Sequence, residues 1–129
     1  MNIVTTSFPE EVYLCNGKET YIKFCEKSKK VIIQHGNNNS LCLPMRNKTM
    51  KMLQLFLRNK GVICSYLDIA KAICCNCYRE GVDNGDVVYG VRSVRKDLVD
   101  IFKKAGVPVR LIKKMIVPVE NTGYKFVQG

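Results

Sequence analysis

NGDVVYGVRSVRKDLVDIFKKAG, residues 84–106, is the stretch that decides how the rest of the chain is read. Val87, Val91, Val94, Leu98, Ile101 and Phe102 recur at steps of three and four, the spacing that puts side chains on one face of an α-helix. The opposite face carries Arg92, Arg95 and Lys96 among Val88, Tyr89 and Ser93. Asp83, Asn84 and Asp86 offer capping oxygens near the start. At the far end Lys103 and Lys104 precede Gly106, the order of cations and then glycine that closes a helix. The stretch predicts a helix with one side for a core and one cationic side for a partner.

The charge of the whole chain points the same way. Lys and Arg number 21 against 11 Asp and Glu, a net charge of +10, which calls for a polyanionic partner. Within residues 84–114 there are eight Lys or Arg and three Asp, so the positive charge gathers around this helix. Guanidinium groups pair with guanine edges or phosphates, and an exposed Val can touch a thymine methyl, so this outer face suits a DNA major groove. A chain of 129 residues, 47% of them hydrophobic, is long enough for one domain with one core, here taken as 1–129. No apolar run reaches the roughly 18–20 residues that span a bilayer, and no signal-peptide pattern opens the chain. The expectation is a soluble, cytoplasmic protein, with a membrane entering only through an anchor in a longer chain.

Upstream, the residues read as a small antiparallel sheet over about 12–43. Extended runs at 12–15, 21–25, 30–34 and 41–43 are separated by Asn16-Gly17, by Lys27-Ser28-Lys29 and by Gly36 with Asn37, Asn38 and Asn39. Met50, Leu53, Phe56 and Leu57 then mark a helix at 47–59, with Asn47 as its expected cap. Val62, Ile63 and Cys64 form a short extended link. Ser65 and Asp68 have capping-box spacing, so a second helix runs to about 74. After the basic helix come Val107-Pro108, a strand at 115–120, a break at Asn121-Thr122 and a closing strand at 123–127. The order is sheet, three-helix core over about 47–106, and hairpin over about 115–127.

Neither the cysteines nor the lone histidine make a convincing reactive site. Seven Cys are scattered along the chain, which fits reduced thiols better than a disulfide framework. Cys74-x-x-Cys77, with Cys75 beside it and Cys64 upstream, has chelating spacing but lacks a second pair or a Cys/His partner, so no metal or cofactor is expected. His35 sits at a strand end beside Gly36, with no nucleophile placed near it by the sequence. An enzyme is the weakest class.

Three pieces taken together carry a family resemblance: Gly61-Val-Ile-Cys-Ser65, the helix with Val87, Val91, Val94-Arg95 and Leu98, and the ending Ile116, Val119 and Gly123-Tyr-Lys-Phe126. In their order and spacing the chain resembles the OmpR/PhoB-type winged-helix DNA-binding domain, as found in ToxR-like one-component regulators of bacteria. The resemblance implies an α+β fold: a winged helix-turn-helix with an N-terminal antiparallel sheet, three helices and a C-terminal β-hairpin wing. It also implies that the third helix lies in the major groove of double-stranded promoter DNA, with Arg92, Ser93, Arg95 and Lys96, and Val88 and Tyr89 beside them, facing the bases. The Asn121-Thr122 turn becomes the wing tip. Glu120 holds a place where the family often has a cation, so Lys113, Lys114 or Lys125 is expected to supply that contact. The loop at 75–83 corresponds to a segment that touches RNA polymerase in some relatives, and a homodimer on DNA is a further implied partner. ToxR-like regulators place this domain first, so further chain is expected after Gly129.

Two functions are compatible with these residues: a sequence-specific transcriptional regulator, and a winged-helix protein-interaction module whose basic face binds an acidic protein. The outer face of the third helix favours DNA, because a protein-docking face is richer in large aromatic and aliphatic groups.

Overall fold

Alternation builds the first sheet. Along β2 (Thr20–Cys25), Thr20, Ile22 and Phe24 are buried while Tyr21, Lys23 and Cys25 are half-exposed, the two-residue period of a strand with one covered face. In the computed structural model, which describes residues 11–14, 20–25, 27–73 and 84–127, this strand lies between β1 (Glu11–Leu14) and β3 (Lys30–His35). Ile22 opposes Ile33 and Phe24 opposes Val31, and Val31 in turn opposes Leu43 of β4 (Leu41–Pro44). The order is β1-β2-β3-β4, all antiparallel. His35 ends β3 with its Nδ1 2.8 Å from the hydroxyl of Thr20, which is fully buried. The histidine therefore closes the sheet.

Among the described residues four helices follow where three were expected. They are α1 (Asn47–Arg58), α2 (Tyr66–Ile73), α3 (Asn84–Lys104) and α4 (Val109–Met115). Arg46, not Asn47, takes the N-cap position of α1, and its side chain makes no capping hydrogen bond. Asn47 is inside the helix, and its Oδ1 accepts a long hydrogen bond, 3.4 Å, from Lys29 Nζ. At α2 the expected cap is present, with the Asp68 amide donating to Ser65 Oγ at 3.1 Å.

The apolar stripe of α3 faces inward as its spacing requires: Val91, Val94, Leu98, Ile101 and Phe102 are buried and Val87 is half-buried. The helix closes on Gly106 at φ +86°, with its amide bonded to the Lys103 carbonyl and the Val107 amide to the Phe102 carbonyl, both at 3.0 Å. That pair is the Schellman arrangement, and the accompanying contact falls to buried Phe102 and Val107.

α4 was not expected. Pro108 sits at its N-cap, where a missing N–H costs nothing, and the Leu111 and Ile112 amides reach back to the Pro108 carbonyl at 3.0 Å. Ile112 and Met115 face the core and Arg110, Lys113 and Lys114 face solvent. The predicted terminal hairpin is present as β6 (Ile116–Val119) and β7 (Gly123–Phe126). The link at 62–64 is more than a link: β5 (Ile63–Ser65) pairs antiparallel with β7, giving a three-stranded sheet in the order β5-β7-β6.

One polar contact fastens α3 to α1. The hydroxyl of Thr49, which is fully buried, donates to Asp97 Oδ2 at 2.6 Å, and Arg46 Nε lies 3.7 Å from the same oxygen. Thr49→Val keeps the shape but leaves this carboxylate short of its best donor. We expect a loss of about 1–2 kcal/mol, reduced because Asp97 is partly solvated. Urea denaturation measures it, and an unchanged midpoint would show that the helix pair does not depend on this bond.

Candidate nucleic-acid interface

The solvent side of α3 begins with Tyr89, which is 77% exposed. Arg92, Ser93 and Lys96 are exposed at the following helical steps, so four polar or amphipathic side chains form one stripe. Val88 is half-buried at its edge. Arg95 is placed differently from its neighbours. It is half-buried, its guanidinium carbon lies 5.5 Å from the centre of the Tyr124 ring, and its Nε is buried without a hydrogen-bond partner. A cation at that distance over an aromatic face is attracted by the ring's quadrupole. Arg95 thus joins α3 to the wing strand β7.

Tyr124 belongs to a small aromatic corner. Its ring meets that of Tyr66, the first residue of α2, edge to face, with centroids 5.7 Å apart and planes at 84°. Arg92 has its guanidinium pKa raised, first by hydrogen bonding to the Tyr66 hydroxyl and then by the same group's charge, with Tyr124 adding a smaller share. Burial pushes the Tyr124 hydroxyl up from its ordinary range, and the Arg95 cation pulls it partly back. Two elements remote in sequence, the start of α2 and the wing, therefore meet beside the arginines of α3.

The wing turn is tied to the same corner. The Tyr66 amide donates to the Thr122 carbonyl at 2.9 Å, and the Thr122 hydroxyl donates to the Glu120 carbonyl at 3.1 Å. Asn121 takes a left-handed φ of +56°, which an asparagine tolerates in a tight turn. Thr122 and Glu120 are exposed, and Lys125 is half-buried on β7 opposite Ile63 and Val117. Lys113 and Lys114 are exposed on α4, where Arg110 adds a third cation that the sequence reading did not single out.

The structure thus brings Tyr89, Arg92, Ser93 and Lys96 together on α3 and seats Arg95 against the wing. Tyr66 and Tyr124 were missed as site residues. No local signal ties Tyr66 to α3, whereas Tyr124 stood inside the quoted Gly-Tyr-Lys-Phe ending.

The loop at 75–83, expected to meet RNA polymerase, lies outside the described residues, as do Cys74, Cys75 and Cys77 and the cap candidate Asp83. Cys64 is buried; its Sγ lies 3.8 Å from the Val62 carbonyl, and desolvation, with Asp68 adding to it, raises its pKa. It is a packed, protonated thiol. Among the described residues no three His, Cys, Asp or Glu gather as a metal would require, and no helix is long and apolar enough to cross a membrane.

No protein-family model matches the sequence, and no curated protein matches it. Solved structures do. The DNA-binding domain of Escherichia coli CadC aligns with a TM-score of 0.55 at 17% identity, over 96% of this chain and 96% of that one. The DNA-binding domain of the response regulator AdeR, in complex with an intercistronic region, aligns with a TM-score of 0.54 at 14% identity, over 82% of this chain and 93% of that one. At such identities the likeness speaks for the fold alone, an α+β winged helix.

Proposed function

We propose that this chain is the DNA-binding domain of a transcriptional regulator, with α3 in the major groove of double-stranded DNA and the wing near the backbone or minor groove. The observation that carries this reading is the exposed stripe Tyr89, Arg92, Ser93 and Lys96 on a 21-residue helix, with Arg95 beside it seated over the Tyr124 ring that Tyr66 meets edge to face. Side chains held in one orientation lose less entropy on docking, so they can discriminate between base edges. The solved neighbours support it, since both are named as DNA-binding domains and one is bound to an intercistronic region.

In this reading Arg92 reads bases or the phosphates beside them, with Ser93, Lys96, Tyr89 and Val88 around it. Arg95 acts from the seam between α3 and the wing. Lys113, Lys114, Lys125 and Thr122 grip the backbone, where charge neutralisation supplies sequence-independent affinity. Arg92→Ala is expected to weaken cognate binding by about 1–3 kcal/mol, while Lys113→Ala weakens all duplexes alike and lowers the salt slope by about one unit. Titration of the protein against promoter fragments and random duplex at two salt concentrations checks both. Retention of wild-type affinity by both variants would overturn the assignment of these residues. Binding to an acidic protein with no measurable affinity for any duplex would overturn the function itself.

A further inference from the structure

Beside the stripe, α3, α4 and β6 enclose a groove of about 570 Å³ that the DNA reading does not account for. Its charged lining is mostly cationic: Arg95, Lys96 and Lys103 from α3 and Lys113 from α4 stand against one carboxylate, Asp100. Its apolar lining is aliphatic, with Val99, Ile112 and Ile116 beside the exposed Val109 and Pro118. Phosphate oxygens pair with the cations but make no use of the aliphatic side chains beside them. The combination complements a molecule that carries both an anion and a hydrocarbon body.

We propose that this groove binds a small amphipathic organic acid, a carboxylate on an aliphatic or aromatic body, whose anion meets the Arg95, Lys96 and Lys113 side while its body covers Val109 and Ile112. Size favours a small molecule over a protein segment. Ligand pockets run from about 300 to 1,000 Å³. A stable protein interface needs upward of about 1,000 Å², more than a two-turn groove beside a seven-residue helix offers. Lys96 and Lys113 also belong to the proposed DNA face. An acid seated between them therefore competes with phosphates for the same cations, and by linkage DNA weakens the acid as much as the acid weakens DNA. This regulatory half rests on the proposed function; the binding half does not.

The test separates them. The intact chain, without DNA, is titrated with 8-anilinonaphthalene-1-sulfonate by fluorescence, and the probe is then displaced with octanoate or with sulfate at matched ionic strength. One saturable site is expected, displaced by octanoate and not by sulfate. Val109→Glu, which puts a carboxylate among the aliphatic lining, is expected to cost about tenfold in probe affinity, while Lys48→Gln, the same change of charge on exposed α1, costs less than about twofold. Lys103→Gln, which leaves the aliphatic lining intact, is expected to lower affinity about threefold and serves if Val109→Glu does not fold. Displacement by sulfate as readily as by octanoate, equal losses in Val109→Glu and Lys48→Gln, or binding only of an acidic peptide would overturn the site. If the site stands, octanoate is expected to raise the Kd for duplex DNA. An unchanged Kd overturns the competition alone, and absence of any duplex binding counts against the DNA reading and leaves the site in place.

Discussion

Phe56→Ala is expected to cost about 3–5 kcal/mol of folding stability, the range for truncating a large aromatic in a close-packed core. The ring is fully buried in α1 and lies against Phe126 of β7, with centroids 5.9 Å apart and planes 17° from parallel. Such a pair contributes about 0.5–1.5 kcal/mol beyond the area it buries. The contact joins α1 to β7, and both also reach α3, α1 through Thr49 to Asp97 and β7 through Tyr124 to Arg95. Just past α1, the Gly61 amide donates to the Phe126 carbonyl at 2.8 Å, so the backbone repeats the link that the rings make. Removing the ring leaves a cavity that neighbours on rigid helices and a paired strand cannot fill. Urea denaturation checks the figure, and a loss below about 1 kcal/mol would mean that the core collapses around the smaller side chain.

Much of this architecture could be read before any coordinates. The inward stripe of α3 follows from helical period alone, and its end at Gly106 follows from the need for a residue that accepts a left-handed φ. The outward stripe is the complement of the same period, so Tyr89, Arg92, Ser93 and Lys96 emerge together. What escaped depended on partners distant in the chain. Ile63 pairs with Lys125; residues 62–64 read as extended, but nothing near them names the strand they pair with. The seven residues of α4 are too few for the period to separate helix from strand, and the preceding Val-Pro reads as extended chain. Arg95 has the spacing of an exposed residue, yet it is drawn in by Tyr124, whose position depends on how the wing docks. Asn47 is a good capping residue by type, but the helix begins one position earlier than that role requires.

Gly123→Ala is expected to destabilise the protein by about 3 kcal/mol, the upper part of the range for forcing extra atoms into a filled site. A Cβ at this position would collide with the carbonyl oxygen of Cys64 and stand 2.9 Å from Ser65 Cα and 3.0 Å from the Cys64 carbonyl carbon. All three are backbone atoms of β5, so no rotamer change relieves the clash and the strands must separate. Gly90→Ala is the contrast: its Cβ meets nothing within 4 Å on the exposed side of α3, and it is expected to gain about 0.5–1 kcal/mol from helix propensity. The Gly123 change reaches the interface because the next residue is Tyr124, which carries Arg95 and borders Arg92. At a temperature where Gly123→Ala remains folded, its preference for cognate over random duplex is therefore expected to fall toward that of Arg92→Ala. Lost stability with full sequence preference would show that the wing braces the fold without orienting the arginines. Wild-type stability would mean that β5 and β7 have room to part.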